Sequence, residues 1–139
     1  MRIVLDTSVA LSALLWRGTP YRLLQAIRRY EHLQLFTSAA LLKELGEVLV
    51  RPVPAKRLAM IGLAAHQVLA DYIETIELVT PTATPFVVAA DGDDDHVIAA
   101  AVAAQADLFV SGDRHLLMLG SHQAIRIVPP VEAIVRIGG

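Results

Sequence analysis

The sequence lacks cysteine, a strong net charge and an early apolar segment long enough to cross a membrane. Without cysteine, a disulfide framework, a thiolate zinc site and a cysteine nucleophile are excluded. The formal charge of −2 neither indicates nor excludes a nucleic-acid partner, because arginines can form a local patch while acids cluster elsewhere. The first apolar run is interrupted at Asp6, too early for a signal peptide or a membrane span. We therefore expect a cytoplasmic protein with no membrane partner.

The chain is instead rich in aliphatic side chains, and 55 % of its 139 residues are hydrophobic. This length and composition fit one domain with a sizeable core, so residues 1–139 are expected to form a single domain. The mean hydropathy of +0.52 leaves more apolar side chains than a domain of this size readily buries. Because exposed apolar patches usually mark partners, we expect a homodimer whose interface uses the helical segments 21–30 and 56–74.

Short β-branched runs alternate with helical patterns along the chain. Strands are predicted at 3–5, 33–37, 76–79, 108–110 and 125–128, and helices at 9–15, 21–30, 39–50, 56–74 and 93–105. Strands that alternate with helices pair in parallel through right-handed crossovers. The pattern therefore predicts an α/β fold in which helices cover both faces of a parallel sheet.

Acidic residues interrupt this apolar chain at four points. Asp6 and Asp113 follow the first and fourth strands, Glu44 lies on the third helix, and Asp94 or Asp95 opens the fifth. Ligands of open parallel sheets bind beyond the carboxyl ends of the strands, so we expect these acids to converge there. Gathered carboxylates repel one another unless a hard cation or protons neutralise them. The arrangement predicts a divalent metal site with oxygen ligands, suited to Mg²⁺ or Mn²⁺.

These motifs, taken together in this order, resemble a known family. The segments VLDTSV around Asp6, LLKELGEVL around Glu44, DGDDDHVIAAAVAAQADLFVSGD, and SGDRHLL around Asp113 are similar to the PIN domain. This is the nuclease fold of VapC-type toxins, and the similarity is greatest to its branch of toxin components of toxin–antitoxin systems. The resemblance covers nearly the whole chain. It implies a three-layer α/β/α sandwich with a central parallel sheet of about five strands, metal-dependent cleavage of RNA, a cognate antitoxin and frequent homodimers.

The resemblance also implies roles for individual residues. It assigns catalytic roles to Asp6, Glu44, Asp94 and Asp113, and metal ligation to Asp6, Asp94 and Asp113. The pattern of this branch, Asp-Pro-Asp-Asp before the helix, favours Asp94, whereas the helical phase in other PIN branches favours Asp95, which remains the alternative ligand. In this chain Gly92 replaces the usual proline, which loosens the turn.

Several polar residues beside the acids are candidate substrate contacts. Thr7 and Ser111 either bind a ligand or shape the turns in which they lie. Arg114 follows Asp113 directly and is a candidate for binding RNA phosphates. The other phosphate-binding candidates are Arg17, Arg22 and Lys43, and each of these cations is equally well explained as a solvated surface residue.

Two other classes of protein compete with a ribonuclease. A phosphatase of the haloacid dehalogenase type also has an aspartate after its first strand, but it requires a second one two positions later, where this chain has Ser8. It also requires a catalytic lysine, which Lys43 and Lys56 do not obviously supply. A catalytically inactive interaction module with the same fold is the third candidate, and the complete set of four acids argues against it.

Overall fold

The computed structural model of the chain describes residues 1–81 and 92–138 and, of residues 92–96, the backbone alone. Over these ranges the strands are β1 (Arg2–Leu5), β2 (Gln34–Ser38), β3 (Glu77–Val79), β4 (Leu108–Val110), β5 (Ser121–His122) and β6 (Ile125–Val128). The helices are α1 (Thr7–Leu15), α2 (Thr19–Arg29), α3 (Ala39–Leu49), α4 (Pro52–Ile61), α5 (Ala65–Glu74), α6 (Gly92–Ala103), α7 (Arg114–Leu119) and α8 (Pro130–Arg136).

The strands form one sheet in the order β3-β2-β1-β4-β6-β5. Its first five members pair in parallel, and the two-residue β5 is an antiparallel addition to β6 at the edge. The prediction of a central parallel sheet of about five strands in an α/β fold is therefore confirmed. Since β1 leads to β2 on one side and pairs with β4 on the other, the strand order reverses at β1.

Alternate residues of β1 point into two separate cores. Ile3 and Leu5 pack with buried side chains of α1 to α5 and α8. Val4, on the opposite face, packs with Phe36, Phe109 and buried residues of α6 and α7. Each face of the sheet is thus covered by helices, which gives the predicted three-layer sandwich. No helix in the described part of the chain has the length and apolarity needed to cross a bilayer.

The prediction of one continuous helix at 56–74 is wrong, because two helices, α4 and α5, occupy this segment. α4 begins earlier, at Pro52, where proline suits the first turn of a helix. It ends at Ile61 and is followed by the cap residue Gly62, whose φ of 72° is left-handed, and the backbone N–H of Leu63 donates to the carbonyl of Leu58. This hydrogen bond gives a partner to the Leu58 carbonyl, which lies in the last turn of α4 and would otherwise lack one. The chain then changes direction and continues into α5. The helices α7 and α8 and the strand β5 were not predicted.

Gly46 lies inside α3 and faces α5, so a substitution there measures how closely the two helices pack. A Cβ built at position 46 would lie 3.6 Å from Leu69 Cδ1, which is an ordinary contact. Gly46→Ala is therefore expected to raise the free energy of unfolding by about 0.5–1 kcal/mol, because alanine favours a helix interior. Urea unfolding measures this change. As a control, Gly62→Ala should lower stability by about 1 kcal/mol, since its φ is left-handed. If Gly46→Ala lowered stability, there would be no room for a methyl group between α3 and α5 at this position.

Candidate functional site

The site begins where β1 and β4 end side by side. Leu5 pairs with Val110 in the sheet, so Asp6 and Ser111 are the next residues of two neighbouring parallel strands. The backbone N–H of Asp6 donates to the carbonyl of Val110 at 2.9 Å, and that of Ser111 donates to the carbonyl of Val128 at 3.0 Å. These bonds fix both residues at the carboxyl edge, where the strand order reverses and where ligands of such sheets bind.

Asp6 occupies the position before α1, but its carboxylate does not cap that helix. Its backbone carbonyl accepts the first helical hydrogen bond, from Ala10 N–H. The carboxylate Oδ2 instead accepts a hydrogen bond from Ser111 Oγ at 2.7 Å. The side chain is half-buried. The carboxylate is therefore bonded to the residue that follows β4 and makes no capping hydrogen bond to the helix that it precedes.

Ser111 connects Asp6 with Asp113. Ser111 is fully buried, and its hydroxyl accepts a hydrogen bond from the backbone N–H of Asp113 at 3.0 Å while it donates to Asp6. The Oδ1 atom of Asp113 in turn accepts hydrogen bonds from the backbone N–H groups of His115, at 2.8 Å, and Leu116, at 3.3 Å. Asp113 therefore caps α7, and within the described part of the chain no hydrogen bond reaches its Oδ2 atom.

Glu44 approaches the same edge from α3. That helix begins directly after β2, and Ser38 caps it by accepting a hydrogen bond from Leu41 N–H at 3.2 Å. Leu41, Leu45 and Leu49 form its buried face. Glu44 precedes Leu45 and lies beside that face, half-buried. The apolar periodicity of α3 thus orients this carboxylate toward the end of the sheet.

One cavity of about 420 Å³ contains the three acids whose side chains are described. Asp6, Glu44 and Asp113 all line it, together with Thr7, Ser8, Leu11, Val48, Arg51, Val97 and Gly112. The structure therefore brings together three of the four predicted acids. The side chains of Asp94 and Asp95 lie outside the described residues, although their backbone belongs to the first turn of α6. Among the described side chains, no three acids or histidines form a group able to hold a metal ion.

The predicted substrate contacts are placed less uniformly. Ser111 and Thr7 are buried, whereas Arg114 is exposed at the start of α7. Thr7 lines the cavity, and its hydroxyl has no hydrogen-bond partner within the described part of the chain.

A second, much smaller cavity is lined by Thr7, Thr37 and Tyr72, among others. Burial raises the pKa of the Tyr72 phenol, while Arg28 acts in the opposite direction, so the phenol is neutral at physiological pH.

The remaining predicted phosphate-binding cations do not line the cavity. Arg17 lies over the Tyr21 ring, with 4.6 Å from Cζ to the ring centroid, and Arg22 donates to Thr19 Oγ1 at 3.0 Å. Lys43 is exposed on α3. Among the described residues, the cation that does line the cavity is Arg51, which was not predicted from the sequence. No pattern in the sequence singles it out, because it lies two residues beyond the end of α3 and its position depends on the corner before α4.

Comparisons with known proteins identify a family and a similar fold. A family model described as the PIN domain matches residues 2–115. A solved structure with a similar fold is that of VapBC2 from Rickettsia felis bound to a DNA fragment from their promoter. It is 13 % identical in sequence, with a TM-score of 0.63, and the similarity covers 91 % of this chain and 97 % of that one. At this identity the likeness concerns the fold alone. The chain has no match among curated proteins.

The hydroxyl of Ser111 is expected to stabilise the site. Ser111→Ala removes the donor to Asp6 and the acceptor for Asp113 N–H in a fully buried position, which should cost about 1–3 kcal/mol. Urea unfolding measures the change in free energy. Ser121→Ala, at an exposed serine on β5, is the matched control and should change stability by less than about 0.5 kcal/mol. Equal effects of the two substitutions would show that the hydrogen bonds of Ser111 contribute nothing.

Proposed function

The chain belongs to the PIN domain family, and from this premise we propose that it is a metal-dependent endoribonuclease that hydrolyses RNA phosphodiester bonds. The observation that carries the proposal is the cavity at the carboxyl edge of the sheet, where Asp6, Glu44 and Asp113 come together. We further propose that the protein is the cytoplasmic toxin of a toxin–antitoxin pair, and that residues 1–139 form one nuclease domain.

The chemistry of the cavity fits a hard divalent cation. The described groups able to ligate an ion there are oxygens, from carboxylates and hydroxyls, and such ligands suit Mg²⁺ or Mn²⁺. We propose that Asp6, Asp94 and Asp113 hold the ion, with Asp95 as the alternative to Asp94. When bound, the ion lowers the pKa of a coordinated water and polarises the scissile phosphate.

The side chains around this ion have separate tasks in the proposed reaction. Glu44 orients the attacking water and accepts its proton, as the water oxygen bonds to phosphorus and the bond from phosphorus to the 3′ oxygen breaks. The 3′ oxygen takes a proton from solvent, and the other fragment keeps a 5′ phosphate. Ser111 is buried and bonded to Asp6, so we assign it a positioning role rather than a substrate contact. Arg114 and Thr7 remain proposed substrate contacts.

An inactive interaction module of the same fold is the second candidate. The half-buried acids argue against it, because carboxylates gathered in a cavity destabilise a fold unless a ligand uses them. A phosphatase of the haloacid dehalogenase type is not supported, since Ser8 occupies the position of its second aspartate. RNA cleavage in the presence of metal separates these candidates.

Metal binding and catalysis by the acids are tested together. Mn²⁺ or Mg²⁺ should raise the melting temperature, because a cation that binds only the folded chain stabilises it by about 3–4 kcal/mol at 100 to 1,000 times its dissociation constant. Asp6→Asn should weaken the shift. RNA cleavage should fall roughly a hundredfold or more in Asp94→Asn and less in Asp95→Asn.

Calorimetric titration and a gel assay with labelled RNA provide these measurements. Equal metal affinity in the unaltered protein and in Asp6→Asn would contradict the ligand assignment. If Asp95→Asn is the inactive variant and Asp94→Asn cuts normally, the ligand is Asp95. Asp107→Asn is the matched control, because Asp107 lies at the amino end of β4 and accepts a hydrogen bond from Arg2 N–H.

We propose an antitoxin as partner, supported by the similar structure of VapBC2. An arginine of that partner, placed near Asp6 and Asp113, would compensate their charge and exclude the cation. Inhibition of RNA cleavage by the protein encoded beside this one should therefore weaken as metal concentration rises. It should also be lost when the partner's arginine is changed to alanine. Inhibition that is indifferent to both changes would indicate steric blocking away from the acids.

We propose a homodimer because large apolar side chains are exposed in segment 56–74, one of the two predicted interface segments. Met60 is 69 % exposed, and Leu63 and Ile73 are 45 % and 47 % exposed. In the first segment Tyr30 is the exposed large hydrophobic side chain. We expect light scattering at micromolar concentration to give twice the mass of the chain, and Met60→Lys to shift the distribution toward monomer. A monomer at all concentrations would exclude the proposal.

A further inference from the structure

Arg51 belongs to the lining of the cavity that contains the three acids, and it carries a positive charge. It is the cation among the described residues that line this space. An arginine guanidinium stays charged at all physiological pH values and presents a planar fork of donors that matches a phosphate. The cavity therefore combines carboxylates, which suit a cation, with one group that suits the anionic backbone of a nucleic acid.

The backbone of Arg51 is held firmly. Its N–H donates to the carbonyl of Val48 at 3.1 Å, and its own carbonyl accepts a hydrogen bond from Ala55 N–H at 2.9 Å. Pro52 follows and restricts Arg51 to the extended region, in which it lies with φ −69° and ψ 159°. The residue thus forms a fixed corner between α3 and α4, and the starting point of its side chain moves little.

The side chain of Arg51 is not used to hold the fold together. Arg57 donates to the carbonyl of Leu15 at 2.8 Å, and Arg28 pairs with Asp71 at 3.3 Å, so both fasten one element to another. Arg51 is exposed, and its guanidinium makes no hydrogen bond or ion pair with any residue of the described ranges. Its donors remain available to a ligand in the cavity.

We infer that Arg51 binds a phosphate of the RNA that flanks the scissile one. Glu44 lies on α3, whereas Arg51 lies two residues beyond the end of that helix, at the corner before α4. A strand whose scissile phosphate lies among the acids therefore reaches Arg51 with a different phosphate. The guanidinium and the phosphate form a charge-assisted, bidentate contact. This contact offsets the repulsion between the acids and the backbone of the RNA. This inference rests on the proposed ribonuclease function.

Binding is measured with a short labelled single-stranded RNA of mixed sequence, by fluorescence anisotropy at several KCl concentrations, in an Asp6→Asn background that prevents cleavage. Arg51→Ala should raise Kd roughly tenfold, and the slope of log Kd against log salt should fall by about 0.7. Arg51→Lys should keep the slope and lose part of the affinity. The matched control is Arg29→Ala, at an exposed arginine that ends α2 outside the cavity, and it should change neither value.

Cleavage by the acid-intact protein separates this inference from the function on which it rests. With Mn²⁺, Arg51→Ala and Arg51→Gln should raise KM about tenfold and leave kcat within about threefold, with unchanged melting temperatures. RNA affinity and salt slope equal to those of the parent would overturn the inference, as would a lower kcat at unchanged KM. If the unaltered protein does not cut RNA in any metal, the proposed function fails, and the binding data still report on Arg51.

Discussion

The parallel pairing of β1 with β4 is the constraint on which the site depends. Because Leu5 and Val110 are paired, the next residue of each strand emerges at the same level of the sheet, and Ser111 reaches Asp6 without any loop having to fold around it. The same pairing draws Asp113 inward, since its backbone is tied to Ser111. The acids are therefore separated widely in sequence but fixed by two strands in the middle of a sheet, and the core on both faces stabilises them.

This arrangement costs stability at the edge of the sheet. Asp6 and Asp113 are only partly exposed, and carboxylates that are brought together repel one another. The hydroxyl of Thr7 is buried without a partner in the described part of the chain, which costs about 1–3 kcal/mol in a typical interior. A valine of nearly the same shape would avoid that cost. Polar groups that a fold retains against its own stability are common where a protein binds a ligand.

The sequence predicts the features that follow from local patterns. Asp6 and Asp113 were identifiable because each ends an apolar strand, and Glu44 because the resemblance to a family pointed to it. The break at Gly62 was missed because apolar residues continue on both sides of it with helical spacing. Arg51 was missed because it lies beyond the end of α3, and its position depends on how α4 leaves that helix.

Arg2 lies at the opposite end of β1, where the amino ends of the parallel strands meet. Its guanidinium lies 4.3 Å from the centroid of the Phe36 ring and donates to the carbonyl of Ala104, and its backbone N–H donates to Asp107. β1 is thus bonded on both sides, covered on both faces and sealed at its amino end. We expect its amide protons to reach solvent only when the whole sheet opens, so that amide hydrogen exchange at Val4 would report global unfolding. The strand that Asp6 directly follows is therefore expected to open among the last parts of the molecule.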